Sequence, residues 1–364
     1  MKKFLSIAGA SICFVLSFAL IRGSITSIAG IHLGAKHEGR LGRRSVRMVV
    51  FGDVNLGRAV GQKILENEID YPFQKISIQR KSGDIVFANL ECQLSEQDGE
   101  TQDPEHNMIF TGPPNGARAL SSFGFTLVST ANNHAFDYSL RGLRETIESL
   151  EHEGIQHVGS SADSVGRVPP VVLRQNGIAV GFLAYTQFVN AAGPWEGRIA
   201  LFDSVRARRD IRLLKQKSEF VIVSFHGGKE YVEEPDPKTR RQMESLVNAG
   251  ADIVVGHHPH VPQGIEVLNG RVIFYSLGNF IFNQSSPWAK RSFGVELVVK
   301  KQRGLLSITS IRLIPFRAYK QPATDLERSD IDSLVVRLRK TSNTTIVNRN
   351  DSLFVSLSQF GHSR

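Results

Sequence analysis

Three histidines lie within four residues in the segment Gly256-His257-His258-Pro259-His260. The apolar run 251–255 precedes it and predicts a buried strand that ends at Gly256. A segment so rich in imidazole is typical of a metal site, and a loop of surface histidines is the alternative. Because residues two apart in an extended chain point the same way, we expect His258 and His260 to converge on one ion or on two neighbouring ions, while His257 faces elsewhere.

Polar residues with similar chemistry follow four other apolar runs. These runs predict buried strands, and each is followed within a few residues by a carboxylate, an amide or an imidazole. The runs cover residues 47–51, 85–88, 125–130 and 220–225, and they lead to Asp53, to Glu91, to Asn133 and His134, and to His226.

Apolar runs alternate with helical patterns from residue 47 onward, which indicates a layered α/β domain. Open α/β sheets bind ligands at the carboxyl ends of their strands, so we expect the residues at these ends to meet. Carboxylate, amide and imidazole side chains suit a pair of divalent ions such as Zn²⁺, Mn²⁺ or Fe. Two ions about 3.5–4 Å apart usually share a bridging carboxylate or hydroxide and promote displacement at phosphorus.

Each of these residues also has an ordinary structural interpretation. Asp53 fits a turn, Glu91 fits a helix cap, and Asn132 and Asn133 fit a turn. A lone His134 or His226 fits a hydrogen-bonded polar group near a strand end. Their shared position at the ends of predicted strands favours the metal site.

Further elements complete the predicted domain. Helical spacing is present over 140–150 before Gly154 and over 239–248 before Gly250. A hairpin over 171–185 is expected to turn at Asn176-Gly177. The remaining predicted strands are 271–275, 293–300 and 305–316, and a short helical pattern covers 331–338.

The composition is that of a globular protein with a basic surface. The chain has 364 residues, is 41% hydrophobic and carries a formal charge of +9. Such a charge suits an anionic polymer or a membrane surface, and we expect no nucleic-acid partner because no binding motif accompanies the scattered basic residues. Cys13 and Cys92 are too far apart in sequence to suggest a disulfide framework.

An uncharged apolar run near the N-terminus, residues 4–21, predicts a signal anchor, with a cleaved signal peptide as the alternative. We expect the main domain to lie outside the cytoplasm, although the basic residues after the run oppose this orientation. The predicted segments are a signal anchor or peptide (1–22), a linker (23–46), the main domain (47–316) and a C-terminal extension (317–364) with no assigned chemistry.

Six blocks in order resemble the CapA-type poly-γ-glutamate capsule synthesis proteins, a branch of the calcineurin-like metallophosphatase superfamily. The resemblance covers roughly residues 47–316 and implies a four-layer α/β/β/α sandwich. The blocks are residues 52–58 (GDVNLGR), 88–91 (ANLE), 131–138 (ANNHAFDY), 226–231 (HGGKEY), 256–263 (GHHPHVPQ) and 275–280 (YSLGNF).

The resemblance also implies a role for each site residue. Asp53 would bind the first ion and Glu91 would bridge two ions. Asn133 and His226 would hold the second ion, His258 and His260 would close the site, and His134 would act as an acid rather than a ligand. Secondary candidates are Asn55, Arg58, Asn132, His257 and Asn279.

The sequence departs from the family pattern at two points. The superfamily's Asp-x-His opening is here Asp53-Val54-Asn55, so Asn55 stands where an imidazole ligand is usual. The usual His-Trp-Gly is here His226-Gly227-Gly228, which removes an aromatic wall from the pocket.

Three functions are compatible with this sequence. The first is a membrane-anchored envelope protein that acts in the synthesis or export of poly-γ-glutamate or a related capsule polymer and carries a dinuclear metal site. The second is an exported metal-dependent phosphoesterase for a small phosphoester, and the third is a non-enzymatic polymer-binding anchor. Since no Walker P-loop is present, ATP-driven ligation would require a partner ligase.

Overall fold

The computed structural model describes residues 44–360, apart from residues 77, 79–80, 164–165, 167, 285, 351 and 359. The predicted membrane segment, residues 4–21, and the predicted linker up to residue 43 lie outside this part of the chain. Among the residues described, no helix combines the length and apolar character that a membrane span requires.

The strands form two large sheets and one small pair. The strands are β1 (Ser45–Val54), β2 (Ile85–Leu90), β3 (Gln93–Leu94), β4 (Thr111–Gly112), β5 (Leu127–Ser129), β6 (Gln156–Val158), β7 (Val171–Gln175), β8 (Ile178–Thr186), β9 (Phe220–His226), β10 (Ile253–His257), β11 (Ile265–Leu268), β12 (Arg271–Phe274), β13 (Asn279–Ile281), β14 (Arg291–Gln302), β15 (Leu305–Arg317), β16 (Ile346–Arg349) and β17 (Ser352–Val355).

The strand order explains how distant segments of sequence meet. The first sheet has the order β16-β17-β15-β14-β1-β2-β5-β6, with β13 also paired to β1, and the second has the order β11-β12-β10-β9-β8-β7. β1, β2, β5 and β6 are parallel, as are β8, β9, β10 and β12. The carboxyl ends of the parallel strands within each sheet therefore share one edge.

The described residues also form α-helices, most of which cover the outer faces of the sheets. They are α1 (Arg58–Leu65), α2 (Gly116–Phe123), α3 (Ser139–His152), α4 (Ser204–Lys215), α5 (Pro237–Ala249) and α6 (Arg328–Thr341).

Three apolar clusters define the layers. The central cluster joins Val50 and Phe87 of the first sheet to Phe182 and Val255 of the second, so the two sheets pack face to face. A second cluster packs α1 and α2 on the outer face of the first sheet, and a third packs α4 and α5 on the outer face of the second. This arrangement confirms the expected layered α/β sandwich. Each fully buried Val, Leu or Phe stabilises it by roughly 1.5–3 kcal/mol.

Local sequence signals account for the ends of several elements. The expected hairpin turn is confirmed, because Asn176 and Gly177 both have positive φ, at 50° and 76°. The predicted helix before Gly250 is α5. It begins after Asp236, whose side chain accepts hydrogen bonds from the backbone of Lys238 and Thr239, and it ends where Gly250 has φ 119°.

The C-terminal residues continue the fold. The helical pattern at 331–338 belongs to α6, whose Leu334 and Leu338 are buried in the central cluster. β16 and β17 then form a hairpin that pairs with β15 and extends the first sheet.

Candidate metal centre

The strand ends bring the predicted site residues together. Asp53 near the end of β1 is in register with Asn89 of β2, and His257 at the end of β10 is in register with His226 at the end of β9. Glu91 directly follows β2, and its backbone N–H donates to Val54 O at 2.8 Å. Parallel pairing within each sheet therefore aligns ligands that are far apart in sequence.

Glycine precedes the ligand at two of these strand ends because another backbone approaches there. A Cβ atom at Gly52 would lie 1.8 Å from the carbonyl oxygen of Gly278. A Cβ atom at Gly256 would lie 1.9 Å from the carbonyl oxygen of Tyr275. The two contacts hold the segment that carries Asn279 against the ends of β1 and β10.

Glu91 is shared by two possible ligand groups. One ligand atom from each of Asp53, Glu91 and His226 lies within 4.8 Å of the others, and the same holds for Glu91, His258 and His260. Oε1 of Glu91 is 3.6 Å from Nε2 of His226 and 3.8 Å from Nε2 of His260. This arrangement allows Glu91 to contact two ions, as a bridging carboxylate does.

His257 does not face elsewhere, contrary to the expectation from alternation. Its Nδ1 lies 3.2 Å from Oδ1 of Asp53. His258 has φ 94° and His260 has φ 58°, so the backbone is not extended here and neighbouring residues need not alternate in side. His257, His258 and His260 therefore all lie at the site, and the backbone N–H of His258 donates to Oδ2 of Asp53 at 3.1 Å.

Amide side chains complete the surroundings. Oδ1 of Asn133 is 2.7 Å from Nε2 of His226, and Oδ1 of Asn279 is 2.9 Å from Nδ1 of His260. Nδ2 of Asn132 donates to Oδ1 of Asn89 at 3.2 Å.

Asn89, which the sequence reasoning did not select, lies at the centre of the site. Its Nδ2 donates to Oδ1 of Asp53 at 2.8 Å and lies 3.2 Å from Nδ1 of His226. The signal that could have identified it is its place as the polar residue that follows the apolar run of β2, two positions before Glu91.

The two buried carboxyl groups are shifted in opposite directions. Burial and the nearby charge of Asp53 raise the pKa of Glu91 well above its usual value. Burial acts in the same sense on Asp53, but hydrogen bonds from His257 and His260 lower the pKa of that carboxyl well below its usual value. Two carboxylates in one dry site repel each other, and a bound cation relieves the repulsion.

Two of the imidazoles are held in the neutral form that binds metal. Burial and the neighbouring His260 lower the pKa of His258 to about 3. Burial and the neighbouring His258 lower the pKa of His226 well below its usual value. Burial also disfavours charge on His260, but the hydrogen bond and charge of Asp53 outweigh it and raise the pKa of His260.

His134 forms a buried pair with Asp137, a residue to which sequence reasoning gave no role. Nδ1 of His134 lies 2.8 Å from Oδ2 of Asp137, and the imidazole packs on the Phe110 ring with centres 4.2 Å apart. His134 and Asp137 are three residues apart, so a single tight turn brings their side chains together. The backbone N–H of His134 stabilises this turn by donating a hydrogen bond to Oδ1 of Asn132 at 3.1 Å. A carboxylate on Nδ1 leaves Nε2 of His134 available to exchange a proton.

Asn55 lies in the turn after β1, and Arg58 is the first residue of α1. Oδ1 of Asn55 accepts a hydrogen bond from the backbone of Gly57 at 2.8 Å, so this atom stabilises the turn. Nη2 of Arg58 donates to Asn107 O at 2.6 Å, and its guanidinium carbon lies 4.7 Å from the centre of the Phe110 ring. Arg58 thus stands on the side of the site that carries His134.

Gln187 fills the space beside Gly227. A Cβ atom at Gly227 would lie 2.5 Å from Cδ of Gln187, whose Oε1 accepts a hydrogen bond from Gly228 N at 3.0 Å. Phe188 places an aromatic ring 5.1 Å from that of His258. The side-chain wall at this place is therefore built by residues after β8 rather than by the residue that follows His226.

The donor set fits divalent metal. Both oxygens of Glu91, which is 0% exposed, lack a hydrogen-bond partner among the residues described, as does Nδ1 of His258. Burying such groups unpaired is costly, and metal coordination compensates for it. Mixed carboxylate and imidazole ligands suit Zn²⁺, Mn²⁺ or Fe.

Comparison with known sequences assigns the chain to a family. The sequence profile described as "Bacterial capsule synthesis protein PGA_cap" matches residues 47–284, a span that contains every candidate ligand described above. The chain belongs to the PGA_cap family.

Named relatives include two members from Bacillus. The chain is 33% identical over 259 residues to the "Capsule biosynthesis protein CapA" of Bacillus anthracis, with 67% of this chain and 62% of that protein covered. It is 30% identical over 272 residues to the "PGA biosynthesis protein CapA" of Bacillus subtilis, with 71% and 70% covered. This PGA_cap chain thus spans less than two thirds of the first relative's length.

A solved structure is also similar to this PGA_cap chain. A calcineurin-like phosphoesterase from Bacillus subtilis aligns with a TM-score of 0.40 and 13% identity, over 82% of this chain and 97% of that one.

Proposed function

We propose that this protein acts in the synthesis or export of poly-γ-glutamate or a related anionic capsule polymer, through a dinuclear metal centre of metallophosphatase type. Membership of the PGA_cap family supports a role with this polymer, and the net charge of +9 suits binding of an anionic product. Ligation of monomers driven by ATP belongs to a partner ligase in this proposal.

The buried, unpaired carboxylate of Glu91 carries the metal part of the proposal. It lies in both ligand groups, and neither of its oxygens has a hydrogen-bond partner among the described residues. Asp53, Asn133 and the imidazoles of His226, His257, His258 and His260 surround it as the remaining candidate ligands.

His134 and Arg58 supply chemistry that the ligands do not. Divalent ions held at this site would supply Lewis-acid chemistry, polarising a substrate oxygen and activating water. Asp137 orients the imidazole of His134 through Nδ1, so that Nε2 can give a proton to a leaving group. Arg58 has no carboxylate partner among the described residues, and its guanidinium can therefore orient an anionic substrate group.

A deletion strain of the host organism tests the polymer role. Restoring the wild-type gene is expected to restore cellular polymer. The Glu91→Gln gene, whose product lacks the charge but keeps the side-chain shape, is expected to restore less than about one tenth of that amount, because a residue that directly binds the metal is lost. Polymer would be measured as acid-released glutamate in the envelope fraction. Unchanged polymer in the deletion strain would rule out this role.

A discrete phosphoester is the second candidate substrate, and the His134–Asp137 pair favours it because ester cleavage needs a proton for the leaving oxygen. Screening the metal-loaded protein against phosphoesters and against γ-glutamyl oligomers separates the candidates. Turnover of phosphoesters alone supports the second candidate. Turnover of neither class, combined with polymer binding, supports a non-enzymatic anchor.

We also propose that residues 4–21 direct the main domain to the outside of the cytoplasmic membrane, either as an anchor that tethers it there or as a signal peptide that is cleaved. The observation that motivates this is the uncharged apolar run after Lys2 and Lys3. Alkaline phosphatase fused after Arg47 is expected to be active, and a cytoplasmic reporter at the same point inactive. The reverse pattern would contradict the proposal and would agree with the basic residues that follow the run.

A further inference from the structure

Two exposed aromatic rings belong to Trp288, the first residue of the 3₁₀ helix Trp288–Lys290, and to Tyr319, two residues after the end of β15. The exposed fraction is 44% for Trp288 and 37% for Tyr319. Large aromatic side chains in water commonly mark a binding surface, because one part is apolar and the edge can still contact polar groups.

Cations cover both rings. The guanidinium carbon of Arg291 lies 5.0 Å from the centre of the Trp288 ring. The ammonium nitrogens of Lys290 and Lys320 lie 5.0 Å and 5.6 Å from the centre of the Tyr319 ring. We call Trp288, Lys290, Arg291, Tyr319 and Lys320 the basic aromatic face.

The positive charge of this face is only partly neutralised. Nε of Arg291 lies 3.1 Å from Oδ1 of Asp330. No carboxylate lies within ion-pair distance of Lys290 or Lys320 among the residues that the structure describes. A further cation, Arg337, has its guanidinium carbon 4.7 Å from the centre of the Trp288 ring, and its Nη2 lies 3.5 Å from Oε1 of Glu233, so it adds little net charge. The face therefore attracts anions.

The face adjoins the metal centre. The carbonyl oxygen of Tyr319 accepts a hydrogen bond from the backbone of Phe282 at 3.2 Å. The ring of Phe282 lies 4.7 Å from that of His260. A chain bound along the face thus has one residue, Phe282, between it and a candidate ligand.

We propose that the basic aromatic face binds a stretch of a linear polycarboxylate and presents that chain to the metal centre. Regularly spaced carboxylates can bridge Lys290, Arg291 and Lys320 together, and the methylene groups between them can contact the parts of Trp288 and Tyr319 that remain exposed. A nucleic acid is disfavoured because a stacked base would have to displace the cations that already cover the rings. The inference rests on the proposed function only for the identity of the polymer.

Intrinsic fluorescence can report binding, because the chain has only two tryptophans. In full-length Trp195→Phe protein the emission comes from Trp288 alone. Adding poly-γ-glutamate in the presence of a chelator is expected to change this emission in a saturable way. The same titration of Trp288→Phe protein should change nothing, since Trp195 lies elsewhere, where its Nε1 donates to Ala191 O at 2.8 Å.

A charge-matched pair of variants tests the location. Lys290→Gln/Lys320→Gln is expected to raise the apparent Kd for poly-γ-glutamate about tenfold, since two exposed charge pairs are lost together. Lys300→Gln/Arg303→Gln removes two charges at the opposite end of the β14–β15 hairpin and should leave the Kd unchanged.

Three results would overturn the inference. The first is an equal rise in the Kd for poly-γ-glutamate in both double variants, and the second is an unchanged Kd in both. The third is that an oligothymidylate of equal charge binds as tightly as poly-γ-glutamate. Because the chelator removes metal, these measurements do not depend on the metal centre. If Glu91→Gln leaves cellular polymer unchanged while the protein still binds poly-γ-glutamate at the face, the proposed function is rejected and the binding site stands. If Glu91→Gln reduces cellular polymer but the face binds no poly-γ-glutamate, the binding site is rejected and the proposed function stands.

Discussion

Glu91→Ala and His258→Ala proteins are expected to lose at least about 100-fold in affinity for divalent metal, since even indirect partners of metal ligands typically contribute 10–100-fold. Glu91 belongs to both ligand groups, so its loss should affect the binding of both proposed ions. Loss of His258 should affect one ion more than the other. The measurement is the metal content of purified protein, by mass spectrometry, after dialysis against rising chelator concentrations.

The matched control is His157→Ala. His157 is an imidazole on β6 outside the site, and its nearest carboxylate is Glu151 at 3.8 Å. This variant should keep the wild-type metal content, which separates loss of a ligand from a general effect of removing histidine. Full metal occupancy in Glu91→Ala and His258→Ala proteins that remain folded would show that the ligand assignment is wrong.

The meeting of the strand ends was predictable from sequence because it depends on topology. Apolar runs that end in Asp53, Glu91 and His226 predict parallel strands, and parallel strands place their carboxyl ends at one edge. The structure brings ligand atoms of these residues within 4.8 Å of one another through the pairing of β1 with β2 and of β9 with β10, together with the face-to-face packing of the two sheets.

The side on which each histidine lies could not be predicted. Alternation assumes an extended backbone, but His258 and His260 have positive φ. That conformation depends on contacts between distant segments, including the hydrogen bond from His258 N to Asp53, 205 positions away. A rule based on spacing therefore placed His257 outside the site, whereas its Nδ1 is 3.2 Å from Asp53.

Residues that support the ligands were also beyond sequence reasoning. Asn89 links Asp53, His226 and Asn132 by contacts that span both sheets. Gln187 occupies the space beside Gly227 although it follows a different strand. In both cases the chemistry depends on which elements become neighbours, and this is not a local property of the chain.

His134→Ala is expected to keep both metals and to lose turnover by about 10² to 10⁴, as is typical when a general acid is removed. Its Nδ1 is already occupied by Asp137, and its ring packs on Phe110. Neither ligand group includes it. Loss of metal in this variant would show that His134 is a ligand.

Asp137→Asn is the variant that distinguishes an oriented acid from a residue that only packs. An amide in place of the carboxylate keeps the shape but weakens the hold on Nδ1–H of His134, so the imidazole should turn or change tautomer. We expect turnover to fall, though less than in His134→Ala, with metal content unchanged. If both variants keep wild-type turnover on every substrate that the protein cleaves, the proton comes from elsewhere and His134 serves only to pack against Phe110.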